Sequence, residues 1–173
     1  MESTQKLHPG QPFSPLTFSR LDGDPYVFGA PGKWQALFVF RGQHCPICMK
    51  YLTEIEALLE KFTALGVSVA AVSADSEAQT RVTSEAVKLT VPLLYSLDEA
   101  TMRALGLYIS EPRSAEETDH NFPEPGLFVV NPEGRLQIVS VANTPAVRPE
   151  LNLLLGGLGF TIQNDYPIRG TVT

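Results

Sequence analysis

A buried strand that runs almost directly into an amphipathic helix constrains this fold most. Gln35 to Phe40 form a nearly continuous apolar run, typical of a strand covered on both faces. From Pro46 onward, apolar residues recur at three- and four-residue intervals, and Gly66 then supplies a helix C-cap. The recurring residues are Ile47, Tyr51, Leu52, Ile55, Leu58, Leu59, Phe62 and Leu65. This order predicts a strand–helix unit of an α/β protein.

The rest of the chain continues the alternation and ends in an antiparallel hairpin. Further strands are predicted over Val67 to Ser73, Val91 to Tyr95, Leu127 to Val130 and Leu136 to Val141, and helices begin at Ser76, Asp98 and Pro149. Gly156-Gly157 is expected to limit the last helix. The order predicts an α/β sheet, parallel in its first half and antiparallel at its end, with ligands at the carboxyl edge of the parallel strands.

The length of 173 residues fits a single domain spanning 1–173. Residues 1–30 are predicted to form an N-terminal extension, a proline-rich lead-in followed by a short hairpin around Leu21 to Pro25. Residues 108–122 are polar and acidic and are expected to form a loop insertion, and residues 160–173 an irregular tail.

Charge and hydropathy exclude several classes of function. The net charge is -6 and no run of basic residues is present, which disfavours nucleic acid as a partner. No apolar run approaches the roughly 20 residues of a membrane span, and the first ten residues lack the pattern of a secretory signal. A cytoplasmic protein that does not contact membranes is therefore expected.

The two cysteines of the chain, Cys45 and Cys48, flank Pro46-Ile47 at the predicted helix start. Cys45 falls at the N-cap and Cys48 at the third helical position, where the helix dipole favours thiolate. Helical periodicity turns Cys48 inward and leaves Cys45 at an exposed tip. Cys45 is then the attacking and Cys48 the resolving sulfur.

Redox chemistry is not the only use of such a pair, since a Cys-x-x-Cys in a reducing compartment can also bind a metal. Zinc needs four ligands, and the only histidines, His8, His44 and His120, show no ligand spacing. No metal or other cofactor is therefore expected. Gly156-Gly157 follow a helical pattern and do not make a phosphate-binding loop.

Arg41 and His44 are candidate supporting residues because a cation near sulfur favours thiolate. The competing interpretation is that both side chains are solvated or bonded to backbone. Four carboxylates in the insertion are interpreted as a solvated surface and not as a substrate site. They are Glu111, Glu116, Glu117 and Asp119.

The segment Arg41 to Cys48 resembles the Arg-Gly-x-x-Cys-Pro-x-Cys signature of peroxiredoxin-like proteins grouped with alkyl hydroperoxide reductase and thiol-specific antioxidant. Pro92 to Asp98 and Gly126 to Gly134 are similar to later blocks of that group. The resemblance implies a thioredoxin-like fold, with a central mixed sheet flanked by helices.

The resemblance also makes the two cysteines compete for the attacking role. Cys48 takes the place of the peroxidatic cysteine of peroxiredoxins, whereas thioredoxins attack with the first cysteine, here Cys45. Peroxiredoxins place Pro and Thr or Ser where this chain has Arg41 and Cys45, and their active-site Arg would fall near Pro125. These departures disfavour a dedicated, fast peroxidase and leave a slower thiol peroxidase open. Pro125 instead matches the cis-proline that thioredoxin-like folds set beside their cysteines.

Three functions follow from these considerations. The first is a thiol–disulfide oxidoreductase acting on disulfide-containing proteins, in which Cys45 attacks and Cys48 resolves. The second is a thiol-dependent peroxidase that reduces hydroperoxides. The third is a non-catalytic redox-sensing or binding module. Either enzyme needs a thiol reductant of thioredoxin or glutathione type, and a homodimer is compatible with the resemblance.

Overall fold

The computed structural model describes residues 7–173, so the first six residues of the predicted lead-in lie outside the described residues. The strands are β1 (Leu16–Arg20), β2 (Pro25–Phe28), β3 (Trp34–Val39), β4 (Val67–Val72), β5 (Leu93–Tyr95), β6 (Ile109–Ser110), β7 (Phe122–Pro123), β8 (Gly126–Val130) and β9 (Leu136–Val141). The helices are α1 (Pro46–Ala64), α2 (Glu77–Val87), α3 (Glu99–Ala104) and α4 (Leu151–Gln163).

Seven strands form one mixed sheet in the order β2-β1-β5-β4-β3-β8-β9. The pairs β3–β4 and β4–β5 are parallel, whereas β3–β8 and β8–β9 are antiparallel, which confirms the predicted change of direction. The predicted N-terminal hairpin is also confirmed, because β1 pairs with β2 and then joins the edge of the sheet at β5. The chain therefore has the predicted α/β sheet with helices against it.

The sheet separates two apolar layers, and β3 contributes alternate residues to each. Phe38 belongs to the layer that contains α1 and α4, where its ring lies 6.2 Å from that of Phe62. Leu37 and Val39 belong to the opposite layer. Since β3 is covered on both faces, the end of the strand is fixed in the middle of the molecule.

Local signals set the helix ends as predicted. Helix α1 has Cys45 as its N-cap and Pro46 at its first position, and Gly66 with a φ of 77° follows its end. Helix α2 has the predicted reciprocal capping box between Ser76 and Gln79. At α3, the Asp98 side chain accepts the backbone N–H of residue 101 at 2.7 Å.

The last helix differs from its prediction at both ends. Helix α4 has Glu150 as its N-cap, so Pro149 lies outside it, and it continues through Gly156 and Gly157 to Gln163. Four leucines of one face are buried and hold the helix together across the glycines: Leu151, Leu154, Leu155 and Leu158. The expected boundary of the irregular tail at residue 160 was therefore wrong, and irregular structure begins after Gln163.

The insertion is more ordered than the loop expected over 108–122. Its ends pair as the two-stranded ribbon β6–β7, with Ile109 opposite Pro123 and Ser110 opposite Phe122. The backbone N–H of Glu124 also donates to the carbonyl of Tyr108 at 2.8 Å. The ribbon fixes Phe122 and Glu124 just ahead of β8.

Across residues 7–173, no helix combines the length and the apolar character that crossing a membrane requires.

Substitution of Phe62 by Ala should lower the free energy of unfolding by about 3–5 kcal/mol, because the side chain is fully buried between α1 and the sheet. Phe160→Ala is the matched control. Its ring is 55% exposed, so we expect a change of about 0.5 kcal/mol or less. Urea denaturation measures both, and equal losses would contradict the assigned packing.

Candidate active site

The cysteine tetrapeptide lies at the carboxyl edge of β3, where the chain turns into α1, as the sequence predicts. Cys45 has an extended backbone, with φ -105° and ψ 100°, and its Sγ accepts the backbone N–H of Cys48 at 3.3 Å. The sulfur thus fills the N-cap role that a hydroxyl or carboxylate oxygen usually has. This single contact fixes the relative position of the two cysteines.

Both cysteines are buried free thiols, with 2% of Cys45 and 0% of Cys48 exposed. The prediction that Cys45 sits at an exposed tip was wrong. As N-cap, its side chain turns back over the first turn of α1 into the apolar layer that also contains Phe40. The exposed tip is Ile47 instead, 49% of which is accessible.

The two sulfurs titrate very differently. The Cys48 thiol donates a hydrogen bond to Cys45, and this bond, together with the Cys48 backbone N–H and the charges of Arg41 and Arg148, lowers the pKa of Cys45 to about 6 against the opposing effect of burial. Donation to Cys45 and burial raise the pKa of Cys48 well above its usual value. The pKa of Cys45 is therefore the lower of the two, so Cys45 is the sulfur that ionises first.

Arg148, which the sequence analysis missed, contacts the second sulfur. Its Nη2 donates to Cys48 Sγ at 2.8 Å, and its Nη1 donates to the carbonyl of Pro145 at 2.8 Å. The guanidinium lies over the ring of Tyr51, 5.0 Å from its centroid. No arginine occurs near Pro125, where peroxiredoxins carry theirs, and the loop between β9 and α4 supplies a guanidinium to this site instead.

Arg41 acts on the site through its charge, as predicted, while its guanidinium binds other groups. Its guanidinium stacks on the Phe122 ring at 4.7 Å and faces Glu124, with Nε 3.5 Å from Oε1. The Ser110 hydroxyl donates to the same Oε1 at 2.7 Å. The side chain therefore acts on the sulfurs only through its charge. The backbone N–H of Arg41 partly opposes the rise in the pKa of Cys48.

His44, the other supporting candidate, packs on the same aromatic ring. Its ring centroid lies 4.6 Å from that of Phe122, and within residues 7–173 neither ring nitrogen has a hydrogen-bond partner. Burial, followed by the charge of Arg41, lowers the pKa of His44 and favours the neutral ring. The side chain forms part of the wall of the site and makes no hydrogen bond to either cysteine.

Asp75, a second residue missed by the sequence analysis, anchors the loop before the cysteines. Its Oδ2 accepts the backbone N–H of Gln43 at 2.7 Å, and His120 Nε2 lies 3.5 Å from Oδ1. Gly42 has a φ of 139°, and a Cβ there would lie 2.6 Å from Asp75 Oδ1. Only glycine fits this contact, so the end of β4 determines the path of the loop.

Pro125 lies beside the cysteine site, but the peptide bond before it is trans. The cis-proline expectation was therefore wrong: the chain runs extended from β7 into β8, and the Pro125 carbonyl accepts the N–H of Ala142 at 3.0 Å. Pro125 lines a small, mostly apolar cleft. The other lining residues are Phe38, Val39, Tyr51, Gly126, Leu127, Ser140, Ala142, Val147, Arg148 and Pro149.

The acidic insertion contributes no reactive group. Glu117 pairs with Arg113 at 3.0 Å, and Asp119 contacts His120 at 2.7 Å. Within residues 7–173, no three His, Cys, Asp or Glu side chains are arranged to hold a metal ion. These charged groups of the insertion thus pair with one another, and the two sulfurs stay the candidate reactive groups.

Thiolate absorbance at 240 nm should show one sulfur titrating near pH 6 and the other only far above neutrality. Cys48→Ala removes the thiol donor and should raise the pKa of Cys45 toward its usual value. Cys48→Ser, which retains a hydroxyl donor, should raise it less. A pKa near 6 that survives in Cys48→Ala would contradict the shared-proton arrangement.

Asp75→Asn should stabilise the protein at pH 7.5, since burial raises the pKa of Asp75 and its charged form opposes folding. The asparagine oxygen can still accept the Gln43 N–H. The gain should shrink as the pH falls toward about 4, where the wild-type carboxyl also becomes protonated. Thermal denaturation across this range measures the effect.

Asp98→Asn is the control, in which removal of the charge should change the stability in the opposite direction. Its bond from the Thr101 N–H lowers the pKa of Asp98, so the charged form favours folding, and removing the charge should destabilise the protein at pH 7.5. Two variants with the same pH trend would refute the assignment for Asp75.

Comparison with known proteins identifies a family and a shared fold. Residues 11–139 match the model of the AhpC/TSA family. No curated protein sequence is detectably similar to the chain.

Several solved structures share the fold. A mutant of peroxiredoxin 6 from Arenicola marina has 18% identity and a TM-score of 0.78, covering 91% of this chain and 74% of its own. A peroxiredoxin-like protein from Aquifex aeolicus has 15% identity and a TM-score of 0.74, with 89% and 87% covered. AhpC from Mycobacterium tuberculosis has 19% identity and a TM-score of 0.72, with 93% and 96% covered.

At these low identities, the TM-scores establish the thioredoxin-like fold. The family model covers most of the chain, from the N-terminal extension to β9. With the cysteine tetrapeptide at the start of α1 and the mixed sheet behind it, the match confirms the resemblance found in the sequence: the chain belongs to the AhpC/TSA family.

Proposed function

We propose that this protein is a thiol-dependent peroxidase, in which the single domain reduces a small hydroperoxide with Cys45 and Cys48. The observation that carries the proposal is the burial of both sulfurs, with 2% and 0% of the two residues exposed. Membership of the AhpC/TSA family supports it, as do similar folds in proteins named peroxiredoxins.

Burial favours a peroxide over a protein disulfide because the two substrates differ in bulk. Thiol–disulfide exchange requires the attacking sulfur to approach a sulfur of the disulfide, so exchange rates depend on access. Hydrogen peroxide has only two heavy atoms, so reaching Cys45 requires far less displacement of the surrounding side chains than a protein disulfide would. For this reason we favour the peroxidase over the thiol–disulfide oxidoreductase that was the first expectation from the sequence.

The reaction proceeds in two oxidative steps. The Cys45 thiolate attacks the terminal peroxide oxygen, the O–O bond breaks, and the leaving alkoxide or hydroxide takes a proton from water, so that Cys45 becomes a sulfenic acid. Cys48 then loses its proton, and its sulfur attacks Cys45 and expels hydroxide, which also takes up a proton. The product is a Cys45–Cys48 disulfide and water, and two equivalents of a thiol reductant restore the pair.

The surroundings of Cys45 suit the first step. The helix start, the Cys48 donor and two nearby arginines keep the pKa of Cys45 at about 6, so most of the sulfur is thiolate at pH 7. An ordinary cysteine is only a few per cent thiolate at that pH. The substrate class is therefore a hydroperoxide, and the electron donor is a thiol of thioredoxin or glutathione type.

One observation favours the thiol–disulfide oxidoreductase as a second candidate. A Cys-x-x-Cys pair with a thiolate at a helix N-terminus is also the arrangement of enzymes that exchange disulfides. This activity requires α1 to open enough at its first turn for a larger substrate to reach Cys45.

Limiting hydrogen peroxide should convert the wild type into the intramolecular disulfide. Cys48→Ser should stop at a sulfenic acid on Cys45, detected by a sulfenate-specific reagent and mass spectrometry. Cys45→Ser should consume peroxide more slowly by on the order of tenfold or more, because it lacks the sulfur with the lowered pKa and the remaining sulfur is fully buried. Thr53→Ser, an exposed substitution on the same helix, is the control and should react like the wild type.

Parallel reactions with an aromatic model disulfide test the second candidate. If the protein exchanges with the model disulfide rapidly but consumes peroxide slowly, the peroxidase proposal fails and the thiol–disulfide oxidoreductase is favoured. A sulfenic acid that forms rapidly on Cys48 would reverse the assigned roles. If neither reaction depends on the cysteines, the chain is a binding module.

A further inference from the structure

We infer that Arg148 is a catalytic residue for the second sulfur: it stabilises the Cys48 thiolate when Cys48 resolves the sulfenic acid and when Cys48 leaves during reduction of the disulfide. The inference rests on the proposed function for its cycle, but the step at Cys48 can be tested without peroxide. It assigns a role to a residue that the cysteine motif does not contain.

The geometry around Cys48 carries the inference. Arg148 Nη2 lies 2.8 Å from Sγ, so the guanidinium donates directly to this sulfur and holds its positive charge against it. The guanidinium is held on two other sides, by the Pro145 carbonyl at 2.8 Å and by the Tyr51 ring beneath it. Tyr51 is itself fixed, since its hydroxyl donates to the Pro149 carbonyl at 2.7 Å.

Arg148 differs from the other arginine of the site in what it faces. The Arg41 guanidinium is opposed by the Glu124 carboxylate at 3.5 Å. The polar contacts of Arg148 in the described residues are a neutral carbonyl and the sulfur. Its charge is therefore available to the sulfur without competition from a bound carboxylate.

In the resting state, Cys48 does not need the positive charge of Arg148. The thiolate resides on Cys45 there, and Cys48 is a protonated, fully buried thiol. The cycle nevertheless needs Cys48 as a thiolate twice, once as nucleophile and once as leaving group, and a buried thiolate without a partner is costly. Arg148 supplies the positive partner for the negative charge that develops on the Cys48 sulfur.

The same contact fixes the direction of reduction. A reductant thiolate attacks Cys45, the S–S bond breaks, and both bonding electrons pass to Cys48, which leaves as a thiolate facing Arg148. The new bond is a mixed disulfide on Cys45, and a second reductant thiolate attacks its outer sulfur and releases Cys45. Attack at Cys48 would instead have to reach a fully buried sulfur, and it would place the charge on Cys45, which is not the sulfur that Arg148 donates to.

The test uses disulfide formed with diamide, so that no peroxide is involved, and follows its reduction by dithiothreitol in stopped flow. Arg148→Met, which keeps the length but removes the charge, should slow reduction about tenfold, equivalent to about 1.4 kcal/mol in the barrier. Arg148→Lys should recover part of the rate. After a peroxide pulse, the sulfenic acid on Cys45 should persist longer in Arg148→Met.

Arg103→Met, an exposed arginine paired with Glu99 at 2.9 Å, controls for the loss of one positive charge. A wild-type rate of reduction in Arg148→Met would overturn the role of the charge. Equal slowing in Arg148→Met and Arg148→Lys would also overturn it, provided that both variants melt at the wild-type temperature. Trapping with an aromatic disulfide should place the mixed disulfide on Cys45, and its appearance on Cys48 would also overturn the inference.

Failure of the proposed function gives a different result. A protein that does not consume peroxide, yet shows the Arg148 effect in the reduction of the diamide disulfide, would refute the peroxidase and leave the inference standing. The reverse result would refute only the inference.

Discussion

The hydrogen bond from the Cys48 backbone N–H to the Cys45 sulfur is the interaction on which the site depends. It ends the turn after β3, caps α1 and brings the two sulfurs together. A cap of this kind contributes about 1 kcal/mol when the acceptor is an oxygen. Here the acceptor is also the proposed nucleophile, so the redox state of Cys45 and the stability of the first helical turn are coupled.

Two long-range contacts keep this junction in place. Asp75, just beyond β4, holds the Gln43 backbone on one side, and Arg148 holds Cys48 on the other. Neither partner is near the cysteines in sequence, and both come from segments that follow strands of the central sheet. The sheet order therefore brings both contacts to the sulfurs, since it places β4 on one side of β3 and β8, followed by β9, on the other.

The parts that the sequence predicted are those set by local chemistry. The apolar run of β3, the periodicity of α1 and the capping box at Ser76 need only neighbouring residues. Tertiary packing decided the rest: buried leucines carried α4 through its glycines, and the Arg148 contact joins residues 100 positions apart. Even the burial of Cys45 depends on a side-chain direction that helical periodicity does not describe at an N-cap.

The departures from the family pattern become consistent once the cap is considered. The resemblance places Cys45 where peroxiredoxins have Thr or Ser, residue types whose side chains can cap a helix. A thiol at this position retains the capping contact and places a second sulfur one helical turn from Cys48. The proposed resolving reaction then needs no cysteine from another segment of the chain. What it does need is a counter-charge for whichever sulfur is ionised: the helix start serves Cys45, and the loop before α4 serves Cys48 through Arg148.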